Sequence, residues 1–73
     1  MTKLPVVKTR FLIRALKIAG FEEKKQVGRH LRLKHPDGRW TTVSVHSGTV
    51  PSGTLRKILR DAEISPEELK NLL

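Results

Sequence analysis

Two segments of alternating polarity, joined by a tight turn, constrain the fold of this chain more than any other feature. In residues 30–35, Leu31 and Leu33 alternate with polar side chains, which is the period of a half-buried strand. Residues 36–38 (Pro-Asp-Gly) follow, and there proline sets φ while glycine accepts the left-handed conformation of a turn. Residues 40–46 alternate again, so the pattern predicts an antiparallel hairpin with a three-residue loop.

The register of this hairpin can be counted if His35 pairs with Arg39 across the loop. The core side then carries the pairs Leu31–Val43 and Leu33–Thr41. The outer side carries the pairs His30–Ser44, Arg32–Thr42 and Lys34–Trp40. This register keeps the apolar and polar sets apart, whereas a slip of one residue would mix them.

The N-terminal part of the chain predicts a helix and a further strand. Apolar residues at helical spacing run from Lys8 to Ala19. The helix has to begin after Pro5, and Gly20 is suited to stop it. Residues 21–27 predict a strand whose even-numbered side chains face water, and Gly28 ends it.

Two helices are expected after the hairpin. A loop over residues 47–53 leads into a second main helix over residues 54–63, and Ser65 to Glu68 is a capping box with proline at the first helical position. The order is therefore α-β-β-β-α plus a short C-terminal helix. It predicts an α+β fold in a single domain, residues 1–73, with a three-stranded antiparallel sheet and both main helices on one face.

The charge of the chain is strongly basic and unevenly distributed. Fifteen Lys and Arg against seven Asp and Glu give a formal net charge of +8, which attracts polyanions and speeds their capture. Four of the acids fall in the last thirteen residues: Asp61, Glu63, Glu67 and Glu68. The basic surface is therefore expected on the first helix, the hairpin and the start of the second helix. Charge alone leaves open binding to an acidic protein, or a role in solubility.

Several classes of protein are disfavoured by the composition. There is no cysteine, so disulfides and thiolate chemistry are excluded and a reducing compartment fits. The apolar residues near the N-terminus are too few for a signal peptide or a membrane span, and a cytoplasmic protein is expected. The spacing of the three histidines, without a carboxylate cluster, predicts no metal site, and no motif for a small-molecule cofactor is visible.

His30 is the candidate for chemistry. It follows the flexible Gly28 and opens a strand whose outer face continues with Arg32 and Lys34. An imidazole titrates near neutrality and can move a proton, while surrounding cations stabilise the charge that develops when a phosphodiester reacts. An inert surface histidine is the alternative at this position.

The ordered set of motifs resembles the HicA toxin family, and the resemblance runs from about Lys8 to the end of the chain. The residues that carry it are Gly28-Arg29-His30, His35-Pro36-Asp37-Gly38-Arg39, His46, Gly53-Thr54-Leu55-Arg56-Lys57-Ile58-Leu59-Arg60 and Ile64-Ser65. The sequence departs from the family pattern at Arg29, where a small residue is usual, at Glu63, where glycine is usual, and at Thr49, where a charged residue is usual.

The resemblance implies a fold like that of a double-stranded-RNA-binding domain and a ribonuclease that cleaves mRNA. It also implies one essential histidine near the start of the second strand, and His30 occupies that position. A HicB-type antitoxin is implied as the partner that binds the toxin and covers this site. Cleavage is expected to need neither a metal nor a cofactor, and no membrane is involved.

Eight residues are candidates for contacts with RNA. They are Lys8, Arg10, Arg14, Lys17, Arg29, Arg32, Lys34 and Trp40. An exposed tryptophan can stack on a base, although packing under an arginine or against the antitoxin is an equal alternative for Trp40. The cations of the first helix would ordinarily form a solvated helix face. His35 is interpreted as a structural residue or a phosphate contact, and for His46 a structural hydrogen bond is favoured over contact with substrate.

Three hypotheses follow from these observations. The leading one is a ribonuclease toxin of a toxin–antitoxin pair, with His30 as general acid or base. The second is a non-catalytic RNA-binding module of the same fold, which needs the basic face but no histidine. The third is an interaction protein whose basic face serves only an acidic partner.

Overall fold

The computed structural model describes residues 4–73, so the first three residues of the expected domain lie outside the described part of the chain. The elements are α1 (Thr9–Ile18), β1 (Glu22–Val27), β2 (His30–Lys34), β3 (Trp40–Ser44), α2 (Ser52–Ala62) and α3 (Pro66–Leu72). The strands form an antiparallel sheet in the order β1-β2-β3. The expected α+β fold, with its short C-terminal helix, is confirmed.

The β2–β3 hairpin has the register that the sequence predicts. The backbone N–H of His35 donates to the carbonyl oxygen of Arg39 at 2.7 Å, which closes the three-residue loop. All five expected pairs are present: His30–Ser44, Leu31–Val43, Arg32–Thr42, Leu33–Thr41 and Lys34–Trp40. The register is fixed because it places the two leucines on the same side as Thr41 and Val43, the buried residues of β3.

One hydrophobic core fills the space between the sheet and the helices. The sheet contributes Leu31, Leu33 and Val43, and the helices contribute a set of buried side chains from their inward faces: Leu12, Ala15, Leu16, Leu55, Ile58, Leu59, Ala62 and Leu69. Because every helix packs on this side, the opposite face of the sheet is left open. The outer residues of β2, including His30, lie on that open face.

Strand β1 differs from the prediction in two ways. It begins at Glu22, and Phe21 is buried just before it. All six of its residues are exposed, so the expected alternation is wrong. A β-bulge between Glu23 and Lys25 shifts the register, which then places Lys25 opposite Arg32 on the adjacent strand. An extra residue in one strand changes which side chains share a face beyond it.

The second main helix is longer than predicted at its N-terminus. Helix α2 begins at Ser52 and includes Gly53, which the sequence predicts in the loop. Pro51 precedes the helix in an extended conformation, and its carbonyl oxygen accepts the first helical hydrogen bond from Leu55 at 2.8 Å. At the other end, Glu63 takes the left-handed conformation, with φ of 55°.

The capping box at the start of α3 is confirmed. The Ser65 hydroxyl accepts a hydrogen bond from the Glu68 backbone at 3.1 Å, and the Glu68 carboxylate accepts one from the Ser65 backbone at 3.5 Å. This reciprocal pairing satisfies two of the amides that a helix start leaves free. Within residues 4–73, no helix has the length and apolar character needed to cross a bilayer.

Both main helices start at the end of the sheet where His30 lies. The N–H of Thr9, the first residue of α1, donates to the carbonyl oxygen of Gly48 shortly beyond β3, at 3.1 Å. At its other end α1 leads directly into Glu22, which pairs with Lys34. Helix α2 runs in the same direction as α1, because the carbonyl oxygen of its last residue, Ala62, lies beside the hairpin turn. The positive ends of both helix dipoles therefore point toward the His30 end.

Candidate active site

His30 is the first residue of β2 and lies on the open face of the sheet. It pairs with Val27 of β1 on one side and with Ser44 of β3 on the other. Its side chain is exposed and lines a shallow groove of about 180 Å³, whose walls come from all three strands: Lys25, Val27, His30, Arg32 and Thr42. Within residues 4–73 the imidazole makes no hydrogen bond or ion pair, so both ring nitrogens are available to a ligand.

The groove around His30 is cationic. Lys25 and Arg32 face each other across adjacent strands, where like charges ordinarily repel and destabilise the pair. Neither Asp nor Glu lines the groove. Such an arrangement is costly for an isolated sheet but favourable beside a phosphate, whose charge offsets both cations.

Lys25 lines the groove of His30, although the sequence pattern does not predict it there. Strict alternation along β1 would have turned it toward the helices, and the bulge brings it to the open face instead. A signal was present in the sequence, because residues 22–26 are all charged or polar and offer no apolar face to bury. A strand of that composition is typical of a sheet edge, where bulges are frequent.

Trp40 lies on the same open face, under an arginine. The Arg32 guanidinium is 4.8 Å from the centre of the indole ring, a cation–π contact. Half of the tryptophan, 51%, is still exposed. Lys34 pairs with Trp40 across the hairpin. Three of the predicted RNA-binding residues therefore follow His30 along one face of the hairpin.

Arg29 occupies the turn between β1 and β2. Gly28 has a φ of +59° there, which glycine adopts without strain. The carbonyl oxygen of Arg29 accepts a hydrogen bond from the Val45 backbone at 2.6 Å. The ladder between the second and third strands thus extends one residue past His30, and the exposed Arg29 side chain joins the cations at this end.

The predicted cations of α1 separate into two groups. Lys8 and Arg10, at the start of the helix, line a groove with His46, Ser47 and Gly48 at the His30 end of the molecule. Arg14 instead borders an apolar groove on the helix side, and Lys17 forms an ion pair with Glu23. Lys8 and Arg10 thus line a groove separate from that of His30 and Arg32, and Arg14 and Lys17 lie on the helix side of the molecule.

His35 is held in place by structural contacts. Its ring packs edge-on against Phe21, with the centroids 5.3 Å apart, and its side chain is only 22% exposed. Its Nδ1 accepts a hydrogen bond from the Asp37 backbone at 3.1 Å. A β-carbon added at Gly20 would lie 2.7 Å from its Nε2. These contacts favour the structural interpretation of His35 over a phosphate contact.

Arg39 joins the hairpin turn to the end of α2, a role that the sequence did not indicate. Its Nε donates to the Asp37 carboxylate at 2.8 Å, and its Nη1 donates to the Ala62 carbonyl at 2.7 Å. The guanidinium also lies 5.3 Å from the centre of the Phe21 ring. The Arg39 backbone N–H, and then its guanidinium, hold the pKa of Asp37 below the ordinary value.

Comparison with known proteins adds one finding to this geometry. The family model for the HicA toxin of bacterial toxin–antitoxin systems matches residues 9–64, which include the three strands, both main helices and His30. No curated protein matches the chain significantly. In the part of the chain that the structure describes, no three side chains of His, Asp or Glu are grouped as a metal ion would require.

Proposed function

The chain belongs to the HicA toxin family of bacterial toxin–antitoxin systems, and from that premise we propose that it is a metal-independent endoribonuclease whose general acid–base residue is His30. Its target is mRNA, its place of action is the cytoplasm, and a HicB-type antitoxin neutralises it. The observation that carries the proposal is the position of His30, exposed in a groove that Lys25 and Arg32 also line.

The chemistry asked of His30 is the transfer of a proton. Attack by the ribose 2′-oxygen on phosphorus requires that the 2′-OH lose its proton, and a neutral imidazole accepts one at physiological pH. The phosphorane that forms carries an additional negative charge. Lys25 and Arg32, which are paired across the two strands and line the same groove as His30, would stabilise that charge.

The RNA strand is proposed to lie along the open face of the sheet. Arg32 and Lys34 would hold successive phosphates, and the half-exposed ring of Trp40 would stack on a base beside them. The RNA strand would continue beyond His30 and contact Lys8, Arg10 and Arg29 there. We assign Arg14 and Lys17 to peripheral contacts only, because they lie on the helix side of the molecule.

The antitoxin is proposed to act on the same surface. Since the open face carries cations and His30, a partner that covers it has to present carboxylates there, and it would exclude RNA by occupying the phosphate positions. A complex in which His30 stayed exposed to solvent would contradict direct occlusion.

The proposal is tested by replacing His30. His30→Ala and His30→Gln are expected to reduce the cleavage rate of a labelled mRNA by about 10²- to 10⁴-fold, the usual contribution of a general acid–base residue. Growth arrest on expression should be lost in parallel. The thermal midpoint should stay at the parent value, because the exposed ring contributes nothing to the core.

Lys70→Ala is the control, since it removes a cation from the exposed side of α3, away from the sheet. It should cleave at the parent rate. Full toxicity of a folded His30 variant would show that another group performs the proton transfer. Parent protein that binds RNA but leaves it intact after long incubation would favour the non-catalytic RNA-binding module, for which the basic face alone suffices.

A further inference from the structure

His46 lies just beyond β3, and the backbone places it near His30. Ser44 is the direct partner of His30, and the hydrogen bond from Val45 to Arg29 continues the ladder past that pair. Although β3 itself ends at Ser44, the Val45 side chain packs against the core as Val43 does, so alternation directs the next residue, His46, to the side of Ser44. Where a ladder continues in this way, diagonal neighbours have α-carbons roughly 7–8 Å apart, a span that one phosphodiester and its two ester oxygens can fill.

The imidazole of His46 is oriented by the backbone. Its Nδ1 lies 2.9 Å from the carbonyl oxygen of Ser47. A carbonyl oxygen can only accept, so this hydrogen bond requires the hydrogen on Nδ1 and fixes the tautomer. The other ring nitrogen, Nε2, is then left for a ligand. It accepts a proton when the ring is neutral and donates one when the ring is protonated.

The surroundings of His46 suit an anion. Its groove, of about 250 Å³, is lined by Lys8, Arg10, Ser47 and Gly48 as well as by the histidine. It holds two cations and no carboxylate, at the same end of the sheet as Arg29 and His30. A phosphate between the two histidines would thus have cations on both sides.

We propose that His46 is the second proton-transfer residue of the RNA cleavage reaction, an inference that rests on the function proposed above. His30 takes the proton from the ribose 2′-OH as the O2′–P bond forms. The P–O5′ bond breaks, its electron pair goes to O5′, and His46 gives that oxygen a proton from Nε2. The products are a 2′,3′-cyclic phosphate and a free 5′-hydroxyl, and no oxidation or reduction takes place.

His46 supplies the second proton-transfer group, which His30 alone cannot provide. Cleavage involves two proton transfers, at the attacking and at the leaving oxygen, and one imidazole cannot be the base and the acid of the same step. The carbonyl of Ser47 holds the His46 ring without neutralising it, because no carboxylate contacts it among residues 4–73.

The test compares two substrates with leaving groups of different basicity. One is an RNA dinucleotide, whose 5′-oxygen needs a proton, and the other is uridine 3′-(4-nitrophenyl phosphate), whose nitrophenolate leaves without one. His46→Ala is expected to slow cleavage of the dinucleotide by about 10²-fold or more and to leave cleavage of the nitrophenyl ester near the parent rate. His30→Ala should slow both reactions, since both need the base.

Lys8→Ala is the matched control in the same groove. It removes a charge and leaves both histidines in place, so its effect should be equal on the two substrates. The pH profile gives a second readout, since loss of the acid should abolish the decline of kcat/KM at alkaline pH while the acidic limb remains.

Three results would overturn the inference. Equal losses on both substrates in folded His46→Ala would mean that His46 binds or orients RNA, and parent rates on both would mean that it has no role. Either result leaves the proposed function standing if His30→Ala is inactive. Parent protein that cleaves neither substrate would overturn the proposed function together with the inference.

Discussion

His30 begins strand β2 and His35 follows its last residue, and the surroundings of the two histidines are opposite. His35 packs against the ring of Phe21 and accepts a hydrogen bond from Asp37, so its contacts account for its presence. His30 is exposed among cations, and within residues 4–73 its side chain makes no ring contact or hydrogen bond. An imidazole that stabilises the fold and one that is free to act on a ligand are thus distinguished by their contacts, although the sequence presents them only five residues apart.

The lysines show the same contrast. On the helix side Lys17 pairs with Glu23, and on α2 Lys57 pairs with Asp61 at 3.1 Å. On the open face, by contrast, Lys25 lies opposite another cation, Arg32. Exposed ion pairs contribute little to stability, but they lower the positive potential around them. No carboxylate lines the groove around His30, so that part of the open face keeps its positive potential and is the better surface for a polyanion.

His35→Ala is the variant that best tests the contrast between the two histidines. Loss of the aromatic contact and the hydrogen bond should lower the free energy of unfolding by about 1–2 kcal/mol. The cleavage rate per folded molecule should not change, because the ring lies at the opposite end of the strand. Urea unfolding and RNA cleavage, measured on the same preparation, give the two values.

This pattern is the reverse of the one expected for His30→Ala, which should lose activity and keep its stability. A His35 variant with parent stability and impaired cleavage would show that the division of β2 into a structural and a catalytic end is wrong.

A smaller effect is expected from single lysines on the two sides of the molecule. Lys25→Ala should reduce the slope of log Kd against log salt by about 0.7 for single-stranded RNA, the value for one lost phosphate contact. Lys17→Ala should leave the slope close to that of the parent, because Glu23 already pairs with this lysine. Both are measured in an inactive His30→Ala background so that the RNA stays intact.

A larger change of slope for Lys17 than for Lys25 would place the main RNA surface on the helix side. Such a result would indicate that the cations of α1 contact RNA directly.

The hairpin could be predicted in full because its pattern has a single solution. Leu31 and Leu33 have to face the core, and the turn at residues 36–38 fixes the count, so every pair follows. Strand β1 has no such constraint, since its residues are exposed on both faces and nothing in their order locates the bulge. For that reason the sequence does not predict that Lys25 lies in the candidate site.

The candidate site could be predicted only where it lies on the hairpin. His30 and Arg32 were placed correctly by alternation. The approach of Lys8 and Arg10 to His46 depends on a bridge between Lys8 and Thr49 that joins distant parts of the chain. No local pattern encodes such a contact. The same holds for Arg39, whose bond to the Ala62 carbonyl forms only once α2 has packed.

The smallest expected effect concerns pH at the structural end of β2. The backbone N–H and guanidinium of Arg39 hold the pKa of Asp37 below its ordinary value. A carboxylate with a lowered pKa in the folded state contributes stability above the ordinary aspartate pKa, and this contribution is lost as the pH falls through the lowered value. Asp37→Asn should therefore be slightly less stable than the parent at neutral pH and should lose less stability on acidification. Because Asp37 is exposed, solvent screens its contacts and the difference should be small.

Thermal midpoints of both proteins, measured from neutral pH down to acid, test this prediction. Parallel curves would assign the acid sensitivity to another carboxylate. Glu22 is the first to examine, because a hydrogen bond from Lys24 lowers its pKa.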